Sequence, residues 1–156
     1  MRNVLTLDEL KNRMERYCAY QERCHQEVKT KLRKIGAFGD DSDVVISHLI
    51  KNDYLNETLF AVLYARSKFS IKKWGKKRII NELKQRKITI YNINKSLEQI
   101  TEEDYILTFN TLAGKRWKQL KKKKEPLSQQ KKKLINYLQY RGSENDLIFE
   151  LLNKLS

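Results

Sequence analysis

The sequence predicts an all-α protein, a tandem array of three three-helix modules with about nine helices, elongated or curved. Three observations predict it. The 156 residues include one proline and five glycines, too few for the tight turns of an all-β chain. A hydrophobic content of 40% beside 33% charged residues suffices for a core. Apolar residues recur with helical period between start and stop signals, and the pattern itself returns about every fifty residues.

The first helix starts at Thr6, where Thr6 and Glu9 make a capping box, and continues through Leu7, Leu10, Met14 and Tyr17. A second runs through Val28, Leu32 and Ile35 and stops at Gly36, a residue suited to a left-handed cap. Asp41 or Ser42 is expected to cap the third, with Val45, Ile46, Leu49 and Ile50 facing inward. Asn56 opens the fourth, through Leu59, Phe60, Leu63 and Tyr64. Gly75 precedes the fifth, with Ile79, Ile80 and Leu83. Thr89 caps the sixth, with Ile90, Ile93, Leu97 and Ile100. Thr101 and Asp104 begin a long seventh through Tyr105, Ile106, Phe109 and Leu112. Ser128 is expected to start the eighth, closed by Gly142, and Ser143 the ninth, with Leu147, Phe149, Leu151 and Leu152.

The repeat follows from these positions. Starts at Thr6, Asn56 and Thr101 lie 50 and 45 residues apart. The second-helix pairs Val28 and Leu32, Ile79 and Leu83, and Leu134 and Leu138 recur at 51 and 55. From each anchor leucine, apolar residues follow 14 and 17 positions on: Ile46 and Leu49, Leu97 and Ile100, Leu152 and Leu155. Modules are therefore expected over residues 1–55, 56–100 and 101–156, the last with a lysine-rich loop. Such small units need neighbours for stability.

Charge is concentrated. The net charge is +14, yet residues 66–87 and 115–133 each carry +9. Clustering on that scale points to a polyanion, whose condensed counterions are released on binding. In the central block the candidate contacts are Arg66, Lys68, Lys72, Lys73, Trp74, Lys76, Lys77, Arg78, Lys84, Arg86 and Lys87. Lys76, Lys77, Lys84 and Lys87 fall opposite the apolar stripe of the fifth helix. Backbone N–H groups at Gly75 are expected to offer an anion site. Trp74 suits either stacking on a base or partner, or closing the module core. Arg78 stands four residues before Glu82, the spacing of a helix ion pair. The second block holds Lys115, Arg116, Lys118, Lys121, Lys122, Lys123, Lys124, Lys131, Lys132 and Lys133, with Trp117 among them. It is expected to follow the seventh helix, and the four consecutive lysines read as a flexible, solvent-reaching segment.

No catalytic constellation emerges, and neither a cofactor nor a metal is expected. Gly75 to Arg78 lacks the earlier glycine and following hydroxyl of a phosphate-binding loop. His25 and His48 are isolated, and Cys24 beside His25 lacks two further zinc ligands. Asp40, Asp41 and Asp43 read as helix-start charges. Cys18 and Cys24, six apart, would point to opposite faces of one helix, so free thiols are expected. The acidic, amphipathic start does not resemble a signal peptide, and no apolar stretch is long enough to span a bilayer. A soluble cytoplasmic monomer with no membrane partner is expected.

Specific residues carry a resemblance. Tyr54, Leu55, Asn56, Glu57, Phe60, Ala61, Tyr64, Ala65 and Arg66, followed by Trp74, Gly75, Arg78, Ile79, Glu82, Leu83, Arg86 and Ile88, resemble the central motif of the RecX recombination regulators. Glu22, Arg23, Cys24, Glu27, Val28, Lys31 and Leu32 are similar to the family's first-module pattern. Three departures stand out: Cys24 replaces a small serine, Glu57 an aspartate, and Lys87 a glycine, which requires a non-glycine turn there. The third module matches in character only. The resemblance implies tandem three-helix modules that bind the RecA recombinase and its DNA filament, single- or double-stranded DNA included. They lie in the filament groove and suppress ATP hydrolysis, strand exchange and repressor cleavage, thereby regulating DNA repair and recombination. It also implies a non-enzymatic role. The main alternative is a general, sequence-independent nucleic-acid-binding protein. A phosphoryl-transfer enzyme would require an acidic cluster that the sequence lacks.

Overall fold

A computed structural model describes residues 5–155, and among them the chain forms nine α-helices and no strand. In chain order they are α1 Leu7–Tyr20, α2 His25–Lys34, α3 Gly39–Lys51, α4 Glu57–Ser70, α5 Lys76–Gln85, α6 Ile90–Glu98, α7 Glu102–Lys121, α8 Leu127–Tyr140 and α9 Asn145–Asn153.

Short polar caps open the first helix of each module. The Thr6 hydroxyl accepts from the Glu9 N–H at 3.2 Å, Asn56 Oδ1 from Leu59 at 3.0 Å, and the Thr101 hydroxyl from Asp104 at 3.2 Å. Each satisfies one of the donors that the start of a helix leaves open. Thr89 serves α6 in the same way.

Three starts differ from expectation. α3 begins at Gly39 after Phe38, so Asp40 and Asp41 lie inside its first turn, and neither Asp41 nor Ser42 is the cap. The chain there turns through Gly39 at φ +58° before the acids arrive, and those acids complement the helix dipole. α8 begins at Leu127 with Pro126 at the cap instead of Ser128; a fixed φ and a missing N–H suit proline to a helix start. α9 begins at Asn145 after Glu144. Ser143 is instead buried, its N–H donated to the Leu138 carbonyl at 3.0 Å.

The second helices end alike. Four residues past the anchors Leu32, Leu83 and Leu138 stand Gly36, Lys87 and Gly142, with φ of +91°, +59° and +92°. The next N–H in each case returns to the anchor carbonyl: Ala37 to Leu32 at 2.9 Å, Ile88 to Leu83 at 3.1 Å, Ser143 to Leu138 at 3.0 Å. The left-handed turn forms at Lys87 without glycine, against a steric preference that glycine avoids.

The anchor pairs Val28 and Leu32, Ile79 and Leu83, and Leu134 and Leu138 are all fully buried. Around them lie three apolar clusters. The first gathers Leu10, Met14, Val45 and Leu49; the second Phe60, Ala61, Ala65 and Ile93; the third Phe109, Ala113, Leu120 and Ile148. Two buried residues cross over. Cys24, at the cap of α2, is buried in the second cluster, and so is Tyr105 of α7. Cys18 and Cys24 are both free and buried, but they occupy α1 and the start of α2, not one helix. Burial pushes each thiol up to about 11.

Two predictions test this account. Leu83→Ala should lower stability by ~2–5 kcal/mol in a denaturant titration, because it empties a fully buried site. Lys87→Gly should raise stability by ~0.5–1 kcal/mol by relieving the left-handed lysine; a loss would contradict the turn described here.

Candidate nucleic-acid interface

The central basic block begins on the last turns of α4, crosses a turn and continues on α5. Arg66 is exposed on α4. Lys68 is half-buried, its Nζ 5.4 Å from the Tyr64 ring centre and 5.1 Å from that of Trp74. Lys72 and Lys73 are exposed in the turn, with Lys73 in a left-handed conformation at φ +59°. The turn is closed by the Lys73 N–H on the Phe69 carbonyl and the Trp74 N–H on that of Lys68, both at 3.1 Å. Trp74 packs against the central cluster and so closes the module core, while its ring also borders two cations.

The start of α5 is not an open anion site. The Gly75 N–H donates to the Arg141 carbonyl at 2.7 Å and the Lys77 N–H to that of Gly142 at 3.0 Å. Between them the Lys76 N–H donates to the Tyr105 hydroxyl at 2.9 Å. Three donors expected to face an anion are taken by the third module and by Tyr105. The Tyr105 hydroxyl in turn donates to the Glu144 carboxylate. Burial, reinforced by this carboxylate, raises the phenol well above its ordinary value, so it stays protonated and keeps donating.

Two glycines permit this joint. A Cβ on Gly75 would lie 2.2 Å from the Gly142 carbonyl oxygen, and one on Gly142 2.3 Å from Cβ of Arg78. Only bare backbone fits on both sides. Arg78 crosses the joint: its Nη1 donates to the Tyr140 carbonyl at 3.2 Å, and its guanidinium lies 4.2 Å from the Trp74 ring centre and 4.8 Å from that of Tyr140. It does not pair with Glu82. Arg86 does, at 3.2 Å, while lying 4.8 Å from the Tyr64 ring centre. Lys77, Lys84 and Lys87 are exposed, whereas Lys76 is half-buried with its Nζ 4.5 Å from the Tyr105 ring centre.

The second block does not follow α7; much of it is on α7, which extends to Lys121. Lys115 and Lys118 are exposed there, and Trp117 packs on the third cluster with Lys121 Nζ 5.4 Å from its ring centre. Arg116 is half-buried, 5.1 Å from the Tyr137 ring centre, and donates to Gln119 at 3.2 Å. Lys121, Lys122, Lys123 and Lys124 are exposed, but their backbone is not a loose segment. The buried Gln130 amide donates to the carbonyls of Leu120 at 3.2 Å and Lys123 at 3.1 Å, clamping the turn between α7 and α8. Lys131 is half-buried and Lys132 exposed. Lys133 pairs with Glu125 at 2.7 Å and holds that carboxyl below its ordinary value.

Sequence reasoning passed over Tyr137, Tyr140 and Arg141. Arg141 Nη2 donates to the Lys72 carbonyl, and its guanidinium lies 6.0 Å from the ring centre of Tyr137, the ring that Arg116 also approaches. The two basic blocks thus meet through α8. The available signal was Gly142: it stands at the same offset from its anchor as Gly36 and Lys87.

The histidines serve helix packing. His48 lies 3.0 Å from Glu15, and the His25 N–H donates to Glu57 at 3.1 Å. Among the described residues no group of three His, Cys, Asp or Glu is placed to hold a metal ion, and no helix is long and apolar enough to cross a membrane.

Fold and surface define a helical-repeat protein with a basic turn at the seam between its central and third modules. Residues 56–97 match the family described as RecX, second three-helix domain. The protein named regulatory protein RecX of Bacillus cytotoxicus is 31% identical over 139 residues, covering 89% of this chain and 51% of that one. Its namesake in Lactobacillus johnsonii is 33% identical over 90 residues, 58% of this chain and 33% of the other. Over most of its length the chain is similar to the RecX family. It spans about half the length of the Bacillus relative. In fold it matches the crystal structure of RecX from Lactobacillus salivarius, with TM-score 0.83 at 24% identity over 96% of both chains. A second crystal structure, of a regulatory protein RecX, gives 0.84 at 21% identity over 95% of this chain and 73% of the other.

Gly142→Ala should cost ~2 kcal/mol or more, since it combines a left-handed backbone with a clash against Arg78. Hydrogen exchange at the Gly75 and Lys77 amides should accelerate in parallel. Unchanged melting and exchange would rule out the joint as described.

Proposed function

We propose that the protein regulates the RecA recombinase by binding the recombinase on its DNA filament and restraining ATP hydrolysis, strand exchange and repressor cleavage. The proposed units are residues 1–55, 56–100 and 101–156. The observation that carries the reading is the seam between the central and third modules. There the α4–α5 turn is fixed by backbone bonds to the turn after α8 while Lys72, Lys73 and Lys77 are left exposed. A rigid cationic edge of this kind suits a groove lined by phosphates or acidic side chains, where positions count as well as charge. The relatives' designation as regulatory proteins supports the same reading. The basic residues contact DNA without reading sequence, because lysine contacts to phosphate set position only. The protein acts by occupying the filament and performs no chemistry of its own.

The decisive measurement is RecA ATPase at DNA concentrations where competition for free DNA is negligible. Inhibition under those conditions favours a dedicated recombinase contact; inhibition that vanishes favours a general nucleic-acid-binding protein.

Lys72, Lys73 and Lys77 changed together to glutamate should raise the concentration for half-inhibition at least about tenfold while helical content stays constant. Arg78 is excluded from that set because it holds the joint together. Glutamates at Lys121 to Lys124 should weaken DNA binding and spare more of the inhibition. Equal effects from the two reversals would make general charge the better explanation.

A further inference from the structure

Tyr140, the last residue of α8, is 73% exposed although it stands at the seam between two modules. Its backbone is fixed, because its carbonyl accepts from Arg78 and the Arg141 and Gly142 carbonyls accept the first N–H groups around α5. Its ring is supported on one side by the Arg78 guanidinium, whose other neighbour is Trp74. The Arg78 charge is therefore spent within the protein on two aromatic rings, and the rest of the Tyr140 ring faces solvent. Ile71, 72% exposed, precedes Lys72, whose carbonyl is held by Arg141 next in chain to Tyr140.

Arg78 lies over this ring, and two lysines of the central block are bonded through their backbones to the residues that follow it. Lys77 is tied to Gly142 through its backbone, and Lys72 to Arg141. Arg141 and Arg116 both approach Tyr137, and the Nε of each is buried without a partner. Other exposed tyrosines lack this setting: Tyr91 stands on α6 and Tyr20 at the end of α1, neither beside the joint between Gly75 and Gly142.

An open aromatic face beside a turn of exposed lysines fits one kind of ligand above others. Unpaired bases stack on aromatic rings while phosphates follow the positive charge, whereas a duplex keeps its base faces covered. We propose that Tyr140 is a base-stacking platform for single-stranded DNA, placed where the strand crosses from the central to the third module. This rests on the nucleic-acid half of the proposed function and adds a residue and a preferred strand state to it.

The test uses fluorescence anisotropy with a labelled oligothymidylate and an abasic deoxyribose-phosphate strand of equal length. Both carry the same phosphates, but only the first has bases. Tyr140→Ala should weaken oligothymidylate binding roughly tenfold and leave abasic binding unchanged, while Tyr140→Phe keeps the wild-type preference. Lys72, Lys73 and Lys77 changed to glutamate should weaken both strands. Equal losses on the two strands with Tyr140→Ala, or no loss on either, would overturn the stacking role alone. Failure of the unaltered protein to bind either strand would overturn the DNA half of the proposed function as well. Stacking that persists in a protein without effect on RecA ATPase would leave this inference standing and remove the recombinase reading.

Discussion

The contact between the backbone at Gly75 and the backbone at Gly142 governs how the rest of the surface is used. Once the start of α5 seats on the end of α8, its amide donors have fixed acceptors and its cations have fixed positions. Such a joint leaves no room for a side chain on either strand of backbone, and it needs a left-handed turn on the α8 side. It is also well satisfied: the Tyr105 hydroxyl accepts from the amide between the two backbone bonds and donates its own O–H to the Glu144 carboxylate. Buried polar groups joined in this way hold a unique geometry better than apolar contact alone.

Cations on this protein fall into two populations. Arg78, Arg86 and Lys68 lie against rings, and Arg86 is further paired with Glu82, so these charges serve the packing of α4, α5 and α8. Their attraction to aromatic faces is worth little where water competes and more where it is excluded. Among the described residues Lys72, Lys73, Lys77 and the Lys121 to Lys124 run have no such commitment to a ring or a carboxylate, apart from the approach of Lys121 to Trp117. Net charge counts both populations equally, but a polyanion meets mainly the second.

Much of the fold was legible because the signals are local. A hydroxyl or amide at Thr6, Asn56 and Thr101 bonds three residues on, and an apolar stripe at helical spacing has one face to bury. The anchors at Val28, Leu32, Ile79, Leu83, Leu134 and Leu138 are buried as their spacing implies. Helix starts that rely on a polar residue competing with its neighbours were less legible: Ser128 and Ser143 look like caps, yet Pro126 and Glu144 occupy those positions. The site was legible in its charge and not in its geometry. Nothing around Gly75 tells that its N–H points at a residue 66 positions later, and nothing around Arg78 tells that Tyr140 competes successfully with Glu82. Four adjacent lysines suggest looseness, but the clamp on them is a glutamine from the next helix.

The repeated turn after each second helix makes the central and third units unequal. At Gly142 the turn receives the start of α5, and a single added carbon there would collide with Arg78. At Lys87 the same turn, with the same handedness, already carries that carbon and a full side chain. The central module therefore cannot accept a copy of itself in the way the third module accepts it. Duplication or exchange of units would have to change this one position first, so the central and third units are not interchangeable parts.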